Sequence, residues 1–276
     1  MTSASFDARF IDGQSGRLFV LLRKPANEAG GRCVLFVPPF AEEMNKSRAL
    51  FSDVAQALAA RGVATLLPDL YGTGDSEGEF RDANAALWRT DLERCIAWSA
   101  EQGWPVTSML AVRLGSILGA AAARSAGLNL RATVLWQPVL DGKRFLGQFM
   151  RLRVAASMMS DTGKETAEQL RAAMSSGSFV EIAGYEIGAT LADQLEQLNL
   201  AAELGAHLGR VHWIELIRDA AGAVGGASRN AMEAARARGV DVVEQAVVGE
   251  PFWSSVEIVR NADLVARTAD VLSASS

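Results

Sequence analysis

One stretch, Thr107–Ala123, constrains the fold of this chain more than any other part of the sequence. Its letters are TSMLAVRLGSILGAAAA. The apolar first half is typical of a strand that is buried on both faces, and the small residues after Gly115 predict a helix that packs closely. Between the two lies a sharp turn with Arg113 at its corner. A buried strand that leads directly into a helix predicts a sheet with parallel strands.

The rest of the chain supplies more units of this kind. Alternating apolar and polar residues on both sides of a Gly-rich turn predict an N-terminal β-hairpin, formed by Ala8–Ile11 and Arg17–Leu22. Further strands are predicted at Cys33–Val37, Val63–Leu67, Ala132–Pro138, Val211–Ile217 and Val240–Val248, and helices at Ser47–Arg61, Asn84–Gln102, Gly226–Arg238 and Val256–Leu272. This order predicts an α/β fold with a mostly parallel central sheet, helices on both faces and an antiparallel edge.

The alternation is interrupted once, at about residues 143–207. This segment begins with a predicted helix, Lys143–Ser160, and continues with mixed helical and β character. We expect a helical cap, inserted over the carboxyl edge of the sheet within a single domain of residues 1–276. The helix carries an apolar stripe of Phe145, Phe149, Met150, Met158 and Met159. The stripe either packs the cap against the core or lines a pocket for an acyl or lipid-like group.

Charge and composition exclude several classes of function. The formal net charge is −5, and a nucleic-acid partner would need a basic surface instead. The apolar runs are too short to span a bilayer, and the first ten residues lack the features of a signal peptide. Two cysteines in predicted buried elements indicate free thiols and a cytoplasmic protein. Two histidines without metal-ligand spacing, and no phosphate-binding fingerprint, predict neither a metal nor a cofactor.

Two loops and the turn at Arg113 resemble known proteins. The loop Asp69–Ser76, DLYGTGDS, resembles the D-x-x-G-x-G-x-S loop of α/β-hydrolases, and Thr107–Ala123 has the position of their nucleophile elbow. More narrowly, Pro38–Arg48 (PPFAEEMNKSR) and the RLG at 113–115 resemble the second type of exosortase A system-associated hydrolase. That family belongs to bacterial gene sets for exopolysaccharide export and PEP-CTERM protein sorting. The resemblance covers essentially the whole chain and implies the α/β-hydrolase fold with ester or acyl-type substrates.

The resemblance also implies a Ser-His-Asp triad, but the sequence does not fill it. Arg113 occupies the nucleophile position, and a guanidinium has no usable lone pair. The nearest hydroxyl is Ser116, either a displaced nucleophile or a local partner of the backbone. Asp219 follows the strand after the cap and is either the triad acid or a solvated loop residue. The histidine position, residues 249–253, contains no histidine; His207 and His212 both precede the acid.

The loop after Cys33–Val37 favours a different use of the elbow. Pro38 and Pro39 have no N–H, so Phe40 and Ala41 are the earliest donors of an oxyanion hole. The next two residues, Glu42 and Glu43, would oppose a developing negative charge but would suit Arg113 as partners. With Trp253 nearby in the topology, two interpretations stay open. The charges form an internal ion pair, or Arg113 binds an anion such as a carboxylate or a phosphate.

Three functions remain after this reading. The first is a hydrolase or acyl-transfer enzyme of the exopolysaccharide and PEP-CTERM system with a degenerate triad, using Ser116 and Asp219. The second is a non-catalytic scaffold that binds a small anionic or lipid-like ligand, or a partner protein, through the loop and elbow residues Phe40, Ala41, Glu42, Glu43, Arg113 and Trp253. The third is acid–base chemistry by Glu42, Glu43, Asp75 or Glu250. A homodimer is compatible with each of these functions.

Overall fold

A computed structural model describes residues 5–26, 31–158 and 164–274, and its centre is a twisted sheet of eight strands. A separate two-stranded hairpin is formed by β7 and β8. In chain order the strands are β1 Ser5–Asp12, β2 Arg17–Lys24, β3 Cys33–Val37, β4 Ala64–Pro68, β5 Val106–Val112, β6 Ala132–Trp136, β7 Val180–Ile182, β8 Tyr185–Ile187, β9 Arg210–Ile217 and β10 Val242–Val248. The order across the large sheet is β1-β2-β4-β3-β5-β6-β9-β10.

Six strands of the large sheet run parallel, and two form its antiparallel edge. The β1–β2 and β2–β4 pairs are antiparallel, and every pair from β4 to β10 is parallel. All five residues of β3 are buried, because helices cover the sheet on both sides. The mostly parallel sheet with an antiparallel edge is therefore confirmed.

Helices cover both faces of the sheet. They are α1 Glu42–Ala59, α2 Ala85–Glu101, α3 Gly115–Ser125, α4 Gly142–Met158, α5 Ala167–Ser175, α6 Ala189–Gln197, α7 Leu200–Glu203, α8 Gly226–Ala237 and α9 Ala262–Ser273. One face packs on α1 and α9 through Phe51, Trp136 and Leu264. The other face packs on α2, α3 and α8 through Trp88, Ile117 and Met232, among others. Within the described residues no helix is long and apolar enough to cross a membrane.

Two helix starts differ from the sequence prediction. The first helix begins at Glu42 rather than Ser47, because Ala41 with φ of +52° ends the preceding loop and two glutamates favour the first turn of a helix. The last helix begins at Ala262 rather than Val256, since the Asn261 side chain accepts the N–H of Leu264 and caps it there. Val256 itself is almost fully exposed. Met159 and Ser160, predicted to end a helix, lie outside the described residues.

The segment between β6 and β9 holds α4 to α7 and the β7–β8 hairpin. It contacts the loops that follow the carboxyl ends of β3 and β4. The ring of Phe40 lies 5.6 Å from that of Phe145 and 5.1 Å from that of Phe149, between centroids. Tyr185 of β8 packs 4.8 Å from Phe80. The segment is therefore joined to the rest of the molecule at the sheet edge where ligands of open parallel sheets bind.

Candidate functional site

The turn between β5 and α3 has the geometry of a nucleophile elbow. Its corner residue, Arg113, has a φ of +54°, a left-handed conformation that side-chain-bearing residues adopt at a cost and that clusters at functional sites. The turn is held on both sides: Arg113 N–H donates to Trp136 O at 3.0 Å, and its carbonyl accepts from Val139 N at 3.2 Å. Gly115 must be a glycine, since a Cβ there would lie 2.5 Å from Pro38 O. The corner thus presents an arginine side chain where a nucleophile would stand.

The Arg113 guanidinium is paired with Glu43 from the first turn of α1. Its Nε lies 3.3 Å from both carboxylate oxygens, and its Nη2 lies 3.2 Å from Oε1. Its Nη1 donates to Gln137 O at 3.3 Å. These contacts are longer than the 2.7–2.9 Å of a strong charge-assisted hydrogen bond. They use three of the five N–H donors, so one donor on each terminal nitrogen has no acceptor among the described residues.

Two aromatic rings enclose the ion pair. The guanidinium carbon lies 4.8 Å from the centre of the Trp253 ring and 6.0 Å from that of Phe145. Both distances fall within the range of cation–π attraction. The side chains of Arg113 and Glu43 are only 15 % and 11 % exposed. The rings therefore limit the access of water, which strengthens electrostatic interactions at this guanidinium.

Burial changes the acid–base behaviour of Glu43. Loss of hydration raises the pKa of its carboxyl to about 7, although the positive charge of Arg113 acts in the opposite direction. Glu42 raises this pKa further, and Lys46 lowers it. The Glu43 carboxyl is therefore close to half protonated at neutral pH.

A crevice of about 170 Å³ opens beside Arg113. Arg144 and Gln148, both exposed on α4, lie along it. Asp141 lies there too, and its carboxylate accepts the backbone N–H of Arg144 at 2.8 Å. The charged side chains around the crevice are thus two arginines and one aspartate, apart from the buried Glu43. Counted with an ionised Glu43 these charges balance, and protonation of Glu43 leaves an excess of positive charge that favours an anion.

Phe40 and Ala41 lie beside the elbow in a tightly packed loop. The Phe40 ring is 4 % exposed and packs edge to face against Phe80 and Trp88 as well as the two rings of α4. The cavity that both residues line measures about 20 Å³, room for little more than one water molecule. In this structure the loop offers no space for an acyl chain.

The other predicted residues lie outside the Arg113–Glu43 contact. Ser116 is fully buried, and its hydroxyl faces Ala111 O at 3.4 Å. Asp219 is exposed and accepts the N–H of Ala221 within its own loop at 2.9 Å. Glu42 is half-buried; burial raises the pKa of its carboxyl, and its Oε2 finds no donor within the described part of the chain.

Both histidines of the chain bond elsewhere. His207 lies 3.1 Å from Ala120 O, and the His212 ring lies 3.0 Å from the Gln245 side chain, near the amino ends of β9 and β10. The elbow stands at the opposite, carboxyl edge of the sheet. Across residues 5–26, 31–158 and 164–274, no group of three or more His, Cys, Asp or Glu side chains is placed to hold a metal ion.

Two residues of the site, and one buried carboxylate outside it, were absent from the sequence prediction. Gln137 has a φ of +43°; its carbonyl accepts from Arg113, and its side chain accepts from Leu216 N at 3.0 Å. Arg144 contributes the second cation of the crevice. Glu215, buried near the end of β9, accepts from Gly225 N at 3.0 Å and Trp213 Nε1 at 3.3 Å. The signal for Gln137 was its place at the carboxyl end of the predicted strand Ala132–Pro138, at the edge where ligands bind.

Several solved structures share the fold of this chain over nearly its whole length. A ferulic acid-bound Est1E from Butyrivibrio proteoclasticus superposes with a TM-score of 0.67 at 16 % identity, over 95 % of this chain and 96 % of that one. An alpha-beta serine hydrolase homologue from Coxiella burnetii has a TM-score of 0.55 at 13 % identity, over 99 % of this chain and 97 % of that one. The thioesterase domain of the curacin biosynthetic pathway has a TM-score of 0.57 at 13 % identity, over 97 % of this chain and 99 % of that one. This chain has the α/β-hydrolase fold. No family model and no curated protein sequence matches it.

Within the α/β-hydrolase fold, the elbow corner normally carries the nucleophile of the reaction. Here the corner carries a guanidinium, which offers donors and a fixed positive charge but no nucleophilic atom. Fold similarity alone does not fix the chemistry of a site. The local arrangement is suited to holding negative charge at the point where other members of the fold attack an ester.

Proposed function

We propose that this chain is an α/β-hydrolase-fold binding protein that holds a small anion, a carboxylate or a phosphate, on Arg113. The observation that carries the proposal is the arginine at the elbow corner, with two N–H donors that no described residue accepts, beside a crevice with a second arginine. Two donors on the terminal nitrogens of one guanidinium match the two oxygens of a carboxylate or phosphate.

The arrangement of charge supports a ligand more than a purely structural ion pair. The contacts between Arg113 and Glu43 are long, so the pair leaves much of the guanidinium's bonding capacity unused. Arg144 is exposed and can turn towards a bound anion. The crevice volume of about 170 Å³ corresponds to a ligand of roughly one ring, since a cavity of ~150 Å³ accommodates benzene.

The resemblance of PPFAEEMNKSR and RLG to the exosortase A-associated type suggests the biological setting. In this proposal the protein belongs to the exopolysaccharide and PEP-CTERM system. The segment of about residues 143–207 serves as a cap over the crevice. Free, buried Cys33 and Cys95 agree with a cytoplasmic location. The ligand is then a small anionic or acyl-containing molecule of that system.

Hydrolysis of an ester or thioester is the second candidate. It is favoured by the names of the structural neighbours, which include an esterase and a thioesterase domain. It would need Ser116 as nucleophile, and the hydroxyl of that residue is fully buried behind the elbow. A fluorophosphonate probe should therefore leave the wild-type protein unlabelled. It should also leave Arg113→Ser unlabelled, because a serine at the corner still lacks a histidine base.

Titration calorimetry with benzoate, succinate and phenyl phosphate tests the binding proposal. The informative variant is Arg113→Gln combined with Glu43→Gln, because it removes the cation without leaving a buried carboxylate unpaired. We expect at least one probe to bind the wild type and to lose at least about tenfold in affinity in this double variant. Arg171→Gln, which breaks the ion pair with Glu196 on a remote surface, is the matched control.

Three outcomes would contradict the proposal: no binding by any probe, equal affinity in the double variant, or a probe-labelled serine in the wild type. The pH dependence gives a sharper test with benzoate, which stays ionised above pH 6. Protonation of Glu43 removes its competition for Arg113. Benzoate should therefore bind more tightly at pH 6 than at pH 8, and this difference should be absent from Glu43→Gln.

A further inference from the structure

A second pocket lies near the antiparallel edge of the sheet, between α1 and the face of strands β1, β2, β3 and β4. Its volume is about 160 Å³, and it shares no lining residue with the elbow crevice. Its walls are mostly apolar and are formed by Phe6, Leu21, Phe36, Phe51, Ala55 and Leu67. Phe36 of β3 and Phe51 of α1 pack against each other in this lining, with 5.3 Å between their ring centroids.

Arg23 of β2 brings a charge into this apolar pocket. Its Nε is buried, and no described residue accepts a hydrogen bond from it. Burial lowers the pKa of the guanidinium, and the guanidinium carbon lies 4.7 Å from the centre of the Phe6 ring. The adjacent Lys24 is different, because it is paired with Asp7 at 3.1 Å. Arg23 is therefore a partly desolvated cation without a protein carboxylate.

The second cation of the pocket is already paired. Arg48 donates to Asp69 at 3.0 Å. The lining of the pocket contains no acidic residue, so its net charge is positive. A buried donor without an acceptor costs free energy, and an arginine cannot reduce this cost by losing its proton. An occupant that supplies a carboxylate would remove the cost.

We propose that this pocket binds a small apolar carboxylate, with the carboxylate on Arg23 and the hydrocarbon part among Phe36, Phe51 and Leu67. The apolar walls favour a hydrocarbon, and the volume matches a single ring or a short aliphatic chain. The guanidinium supplies the paired donors that recognise a carboxylate. This site is independent of the anion site at Arg113.

The test is calorimetric titration with hexanoate, with hexanamide as the uncharged analogue. Arg23→Gln removes the cation, and Ala55→Leu fills the pocket while keeping the charge. Arg17→Gln is the matched control, because Arg17 lies on the same strand with its guanidinium 5.0 Å from the Phe10 ring but is paired with Glu77. Circular dichroism of each variant confirms that it is folded.

We expect hexanoate to bind the wild type and to lose about tenfold or more in affinity in both Arg23→Gln and Ala55→Leu. Arg17→Gln and the Arg113→Gln, Glu43→Gln double variant should bind it as the wild type does. Hexanamide should bind more weakly than hexanoate and should not distinguish Arg23→Gln from the wild type. Absence of hexanoate binding, equal affinity in Arg23→Gln, or loss in the elbow double variant would overturn the proposal.

Discussion

Arg113 and Arg23 are both withdrawn from water and both lie beside an aromatic ring, but they differ in their partners. The Arg113 guanidinium is 4.8 Å from the Trp253 ring and is paired with a buried glutamate. The Arg23 guanidinium is 4.7 Å from the Phe6 ring and has no carboxylate beside it. The first arginine is therefore part of the internal structure as well as a candidate binding group, while the second contributes a charge that the described fold leaves uncompensated.

The difference shows how one side chain can have opposite effects on stability. Removal of one member of a buried ion pair leaves the other charge desolvated, which is strongly unfavourable. Removal of a partly buried cation that has no partner takes away a desolvation cost instead. Replacing Arg113 should therefore lower the free energy of unfolding, and replacing Arg23 should not, whatever ligands the two sites bind.

The largest effect is expected for Arg113→Met. This variant leaves the Glu43 carboxyl buried without its cation, which should lower the free energy of unfolding at pH 8 by about 3 kcal/mol. Urea denaturation followed by tryptophan fluorescence measures the change. The Arg113→Met, Glu43→Leu double variant should recover most of the loss. If the double variant were as unstable as the single variant, the ion pair would not be the source of the effect.

The pH dependence of stability comes next in size. Folding raises the Glu43 pKa from about 4.5 to about 7, so the folded state binds more protons than the unfolded state between these values. The stabilisation is complete below pH 4.5 and is lost as the pH rises through 7, by up to roughly 3 kcal/mol. Glu43→Gln should remove this slope from urea denaturation curves between pH 6 and pH 8.

Asp91 provides the internal control for that experiment. Its pKa is raised to about 6 by burial, so it adds a slope of the same sign but only below about pH 6. Glu43→Gln should therefore keep the slope between pH 4 and pH 6. A variant that lost the slope over the whole range, or that kept it above pH 6, would show that Glu43 is not the titrating group.

The smallest effect is expected for Arg23→Met. The thioether side chain fills apolar space without a desolvated charge, so the variant should be as stable as the wild type or more stable by about 0.5–1 kcal/mol. In thermal denaturation this corresponds to a rise of roughly 1–4 °C in Tm. Arg17→Met, which breaks an exposed ion pair with Glu77, should not share the increase. A clear fall in Tm for Arg23→Met would mean that Arg23 stabilises the fold.

The comparison also shows what the sequence could predict. Strand and helix order followed from apolar periodicity, and the elbow from one buried strand and its turn. Which of Glu42 and Glu43 would pair with Arg113 did not follow from the sequence. Neighbouring helix positions point about 100° apart, so the start of the helix at Glu42 sets which one faces Arg113. Arg23 gave no signal at all. Its isolation depends on how much of the sheet α1 covers, which is a property of packing rather than of local sequence.

The packing of Phe40 has a consequence for the motions of the molecule. Its ring makes edge-to-face contacts with Phe80 and Trp88, beside the sheet, and with Phe145 and Phe149 of α4, so the five rings form one stack. To lift the segment between β6 and β9, the chain would have to expose that stack to water. The exposed side chain of Arg144, in contrast, turns at the mouth of the crevice within nanoseconds. The anion that we propose for Arg113 would therefore enter and leave while the segment stays in place.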